Sequence, residues 1–81
     1  MDKVLFLKKP IESGSTLITE LTFAEPTAKE MMALSPTPTF ADLIKISAML
    51  TNHPERVLHK LSARDARKVV EHTAFLLADG D

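Results

Sequence analysis

One corner in the chain limits what the rest can become. Leu17, Thr19, Leu21 and Phe23 alternate with Ile18, Glu20 and Thr22, the period of a strand with one buried face. The pattern predicts the first set as inward, with Thr19 as its one polar, β-branched member. Pro26 then removes an amide donor and biases Glu25 toward extended backbone, which ends the strand. Thr27 and Glu30 follow at capping-box spacing, where the Thr side chain takes the amide at the third helical position and the Glu reaches back to the cap. A strand hands over to a helix within a few residues, so the fold must mix the two.

Upstream, Val4-Leu5-Phe6-Leu7 is a short apolar run followed by Lys8, Lys9 and Pro10. Four residues cannot separate helix from strand by period, but the flanking Pro and the strand that follows favour a strand. Pro10 to Ser15 carries turn chemistry, with Gly14 free to take positive φ. The expectation is an antiparallel hairpin of Val4–Lys8 with Leu17–Phe23. Such a hairpin is marginal alone and needs helices across its apolar face.

Downstream, the spacing predicts helices near 28–34, 40–51, 54–60 and 63–79. Ala28, Met31 and Met32 share one side of the first, and Ser35-Pro36-Thr37-Pro38 cannot continue it. Thr39-x-x-Asp42 repeats the cap and opens the second, whose stripe is Phe40, Leu43, Ile44, Ser47 and Leu50. Only Asp42 and Lys45 mark a polar side, so this helix is either central or partly covered by something else. Pro54 suits the first position of the third helix. Ser62-x-x-Asp65 opens the last, with Ala66, Val69, Val70, Thr73, Leu76 and Leu77 inward and Gly80 placed as the residue beyond its end. The fold class is α+β: an N-terminal antiparallel β-hairpin followed by three to four short α-helices, in a single domain spanning 1–81.

Composition then removes several functions. An 81-residue chain buries only about 60% of its unfolded surface, and with no Cys neither disulfides nor thiolate metal sites enlarge its stability; a partner or homo-oligomer is the remaining remedy. Ten basic and eleven acidic residues make a poor footprint for nucleic acid. No apolar run approaches the roughly 20 residues of a membrane span. Four apolar residues after Asp2 and Lys3 make no secretory leader, which leads to an expectation of a cytoplasmic protein. His53, His59 and His72 share no helical turn and have no Cys beside them, so they are expected as one loop residue and two solvated surface residues. No nucleophile–base arrangement, Gly-rich phosphate loop or paired carboxylate is present. The expectation is a non-enzyme without cofactor or metal. Arg56, His59, Lys60, Arg64, Arg67 and Lys68 allow one rival, a small helix-turn-helix DNA-binding regulator. Glu55, Asp65 and Glu71 interleave with them, which favours basic side chains lying over a small core.

Some apolar residues are left without a place. Ile46 and Met49 fall outside the stripe of their helix, Phe75 lies about 180° from Ala66 beside charged residues, and Met31 and Met32 point about 100° apart, so one of the two is left outside. Met32, Ile46, Met49 and Phe75 are therefore the candidate partner-binding residues, an adaptable apolar surface for a partner.

The order of these pieces resembles a known family. A short strand ending in Lys9-Pro10-Ile11 leads to Thr19-Glu20-Leu21-Thr22, then Glu25-Pro26-Thr27, a short helix and an Ala/Leu/Ile-rich helix. A turn with Leu50-Thr51 and Pro54, an Arg-Val-Leu-x-x-Leu segment from Arg56 to Leu61, a Ser-Ala-x-Asp start and a terminal Phe-Leu-Leu complete it. This resembles the small tail assembly chaperones of Mu-like and related long-tailed bacteriophages and prophages. The resemblance implies a protein that binds the tape measure protein, keeps that long helical chain soluble while the tail tube assembles, and is absent from the finished virion. It also implies tail-tube proteins as candidate further partners, and a longer product made by ribosomal frameshifting in some members. A minor structural tail subunit is the alternative within the same setting.

Overall fold

The computed structural model describes residues 3–78, so Asp79, the expected last residue of the final helix, and Gly80 lie outside the described residues. The chain forms strand β1 (Lys3–Ser13) and strand β2 (Thr16–Phe23), then helices α1 (Ala28–Ala33), α2 (Phe40–Thr51), α3 (Glu55–Leu58) and α4 (Ala63–Ala78). The α+β class and the antiparallel hairpin are as the sequence predicts. Gly14 takes φ +63° in a two-residue turn that closes Ser13 onto Thr16, a conformation that glycine adopts without steric cost.

The hairpin differs from the expected one in length and in phase. β1 does not stop at Lys8 but runs through Pro10 to Ser13. Its pairing is regular from Lys3↔Phe23 to Phe6↔Glu20 and again from Ile11↔Ile18 to Ser13↔Thr16. Between these stretches four residues of β1 (7–10) stand against Thr19 alone. The bulge accommodates Pro10, whose missing N–H is not needed there. It also shifts the inward set: Ile18, Leu21 and Phe23 are buried, whereas Leu17 and Thr19 are exposed. Ile11, placed in the turn by sequence, belongs to the core.

The helices are held by the expected caps. Thr39 accepts from the Asp42 amide at 3.1 Å and Asp42 Oδ2 accepts from the Thr39 amide at 3.0 Å. Glu30 Oε1 accepts from both the amide and the hydroxyl of Thr27, at 2.7 and 2.8 Å. α2 ends on Asn52 in the left-handed region. Pro54 is the N-cap of α3 rather than its first helical residue, and that helix is shorter than predicted.

α2 is the centre of the molecule. It packs on α4, α3, β2 and α1, while α4 and α3 reach β1. The hairpin's inner residues and Ile44, Ile46, Leu50, Val57, Leu58, Val69 and Val70 share one core. A polar seam joins α2 to α4: the Ser47 hydroxyl donates to the Leu43 carbonyl at 2.6 Å and also meets Thr73 Oγ1. Its one hydrogen being used, Thr73 is the donor between them. Thr51 closes the seam by donating to the Ser47 carbonyl at 2.8 Å.

Candidate functional site

The four residues singled out as partner-binding meet different fates. Met32 on α1 is 85% exposed, and Phe75 on α4 is 49% exposed. Met49 is half-buried and lines a groove between α1, α2 and the start of α3. Ile46 does not belong with them: it is 1% exposed and sits in the core. The helical wheel placed it off the main stripe, but α2 has neighbours on several sides, so a direction off one stripe is still a direction into the protein. Phe40 errs the other way. Counted in the stripe, it is 53% exposed, being the first residue of α2 and beyond the reach of the elements that cover the later turns.

Other exposed apolar side chains were not anticipated. Phe6 is 69% exposed and Leu17 58%. Val4 and Phe6 are on the outer face of the hairpin, since Leu5 and Leu7 take the inner one. The alternation Val4/Phe6 against Leu5/Leu7 was present in sequence, but an all-apolar run of four gives no sign of which pair is inside.

Asp65, expected at a helix start, and His72, expected as a solvated surface residue, are both drawn into the protein. Asp65 is 1% exposed. Its amide is capped by Ser62 Oγ at 3.2 Å, but its carboxylate turns away from the helix start and accepts the Lys8 amide on Oδ1 at 3.0 Å and the Lys9 amide on Oδ2 at 2.9 Å. These are the bulge amides that the strand ladder leaves free. Burial pushes the Asp65 carboxyl up, yet donation from Lys9 and Lys8, helped by Ser62 and the charge of Lys68, outweighs it and holds the group below the ordinary Asp range. His72 is half-buried, with Nε2 enclosed and unpartnered. Its ring meets Phe23 edge-on at 4.8 Å and stacks with Phe75 at 6.4 Å. Burial, and after it the charge of Lys3, lowers the His72 pKa.

The remaining basic and metal-type residues form no site of their own. His59 pairs with Glu55 at 3.3 Å, one helical turn apart, and Lys60 Nζ donates to the Glu12 carbonyl at 2.9 Å. Arg56, Arg64, Arg67 and Lys68 are exposed. Among the described residues no group of three or more His, Asp or Glu is placed to hold a metal ion, and no helix is long and apolar enough to cross a membrane.

What this arrangement can do is bind. Two of the grooves beside α2 bear on binding. One, of about 460 Å³, is floored by Ile44, Leu58, Leu61 and Ala66 beside the exposed Phe40. The other, of about 630 Å³, runs past Met49 between α1 and the α2–α3 turn.

The family model described as phage tail assembly chaperone proteins, E, or 41 or 14, matches residues 5–78, from β1 to the end of α4. No curated protein and no solved structure matches the chain to a significant degree.

Proposed function

This chain belongs to the phage tail assembly chaperone family, and from that premise we propose that it binds the tape measure protein and keeps it soluble while the tail tube assembles. The match over residues 5–78 carries the reading. The exposed apolar side chains support it. Met32, Phe6, Leu17, Phe40, Phe75 and Met31 are all close to half exposed or more, a surplus for so small a protein and the kind of surface that takes an amphipathic helix from another chain. The role is one of binding, without a catalytic step, in the host cytoplasm, and the protein leaves before the virion is complete. Tail-tube proteins are further partners in the same proposal.

Co-expression with a tape measure protein of a long-tailed phage that carries this chain tests this reading. The tape measure protein is expected in the soluble fraction, co-purifying with the tagged chaperone, and in the pellet when expressed alone. A tape measure protein that is equally insoluble with and without the chain, and never co-purifies, overturns the proposal. Presence of the chain in purified virions at tail-subunit abundance makes it a structural subunit instead.

A further inference from the structure

The strands of the hairpin pair in two registers. Lys3↔Phe23 to Phe6↔Glu20 follow one, and Ile11↔Ile18 to Ser13↔Thr16 follow another, three residues further along β1. Continued without a break, the first register sets Leu7 opposite Thr19, Lys8 opposite Ile18 and Lys9 opposite Leu17, and leaves residues 11–15 as the loop. No local feature forbids that pairing. It is the hairpin that the alternation of Leu17, Thr19, Leu21 and Phe23 predicts. Pro10 falls at the end of its ladder, where a missing amide costs little.

Three contacts oppose it. Ile11 and Ile18 are core residues, and in the unbroken register Ile11 leaves for the loop while Leu17 takes the inward place of Ile18. Lys9 also turns inward there, its stem long enough to keep the ammonium at the rim. The turn at Gly14 is the second: its φ of +63° closes Ser13 onto Thr16, a tight connection that a longer loop does not require. The third is Asp65, which receives the Lys8 and Lys9 amides at 3.0 and 2.9 Å. Consecutive amides of a regular strand point toward opposite edges, so both reach one carboxylate only where the chain is bulged. Asp65 is 1% exposed, and the unbroken register strips it of at least one of these donors.

We propose that the hairpin is a two-register element and that Asp65 is the latch that selects between its states. Latched, the bulge is fixed and Ile11 and Ile18 are inside. Unlatched, β1 slips by three residues into the unbroken pairing. The slip carries Leu17, exposed opposite Glu12 in the latched state, inward, and brings Ile18 to the outer face diagonally from Phe6. Val4, Phe6 and Ile18 then make one apolar strip. An apolar surface laid on that face favours the slipped state, because only that state offers Ile18 to it.

The chain has no Cys, so engineered pairs report the register. Glu12→Cys with Leu17→Cys stand opposite each other in the latched register, and Lys9→Cys with Leu17→Cys only in the slipped one. All three residues are exposed. Disulfide closure of each pair is measured in the full chain against a glutathione buffer. With Asp65 in place, the Glu12/Leu17 pair is expected to close at least about tenfold more favourably than the Lys9/Leu17 pair. Asp65→Asn is expected to move the ratio toward Lys9/Leu17 by about tenfold or more. Gly14→Ala acts away from Asp65, since its methyl meets nothing within 4 Å. It penalises the tight turn alone and is expected to move the ratio the same way by about fivefold, which carries the test should Asp65→Asn unfold the chain. Ser47→Ala, which weakens the α2–α4 seam instead, is expected to leave the ratio unchanged. A ratio that neither Asp65→Asn nor Gly14→Ala moves overturns the second register. An equal movement with Ser47→Ala shows general loosening and overturns the latch.

Discussion

Replacing Asp65 by Asn removes a charge and reverses one polar atom while leaving shape and volume nearly unchanged. The two carboxylate oxygens serve two amides from a different part of the chain, at 3.0 and 2.9 Å. An Asn carboxamide has one acceptor, so one bond survives without its charge and the other becomes an N–H facing an N–H. A hydrogen bond to a charged group contributes about 1.5–3 kcal/mol net. Burying the carboxylate costs part of that in desolvation, and Lys8 and Lys9 are exposed residues whose amides can recover water. Together these place the loss near the low end, about 2 kcal/mol for Asp65→Asn and about 3 kcal/mol for Asp65→Ala. A domain of this length has a total stability of only about 4–12 kcal/mol, and each kcal/mol moves its melting temperature by about 4–8 °C. The Asn variant should therefore melt about 8–16 °C lower at pH 7. The sign with pH follows from the lowered carboxyl. Its stabilisation is full above the unfolded Asp value of about 3.9 and is lost as pH falls through the lower folded value. Urea titrations of both proteins between pH 7 and pH 2 should show the gap constant at the top and closing only at the acid end. A melting temperature within about 2 °C of wild type at pH 7, or a gap that does not narrow in acid, refutes the claim that Asp65 holds the bulge.

Three further outcomes are expected. His72 should titrate below the ordinary His value of about 6.5, so that its contribution to stability is full above that value and declines as pH falls toward the folded one; a proton NMR midpoint at or above 6.5 contradicts the burial of its ring. Phe75→Ala should cost about 1 kcal/mol or less because half the side chain is already exposed, whereas Phe23→Ala, in the core, should cost about 3–5 kcal/mol; equal losses by thermal melting would mean that Phe75 is a core residue. Ser47→Ala should destabilise by about 1–2 kcal/mol, leaving the buried Thr73 hydroxyl unpaired, and adding Thr73→Val should return part of it, so a double variant showing simple addition argues against the seam.

Sequence was most informative where the physics is local. The Thr39–Asp42 and Thr27–Glu30 boxes act within one helical turn, and their contacts occur where spacing puts them. The stripe of α4 survives because it faces a single side, with Val69, Val70 and Thr73 buried. The hairpin's phase was not legible, because it turns on residues 8–9 meeting Asp65, a pairing no local period contains. Pro10 read as the end of a strand since its cost is reckoned for a regular ladder, and a bulge removes that cost. Of the candidate binding residues, Met32 and Phe75 are exposed and Met49 lines a groove; Ile46 failed because the wheel of a central helix does not say how many neighbours it has.

The Asp65 clasp also sets an order of events on the ribosome. Lys9 and Asp65 are 56 residues apart, which at ordinary rates of synthesis is roughly 3–11 s. Through that interval the nascent hairpin has no fixed bulge and no helix α4 behind it, and a lone two-stranded hairpin does not hold itself together. The last quarter of the chain thus decides the shape of the first, and a ribosome that stops before residue 65 leaves a fragment whose strands have no defined partnership.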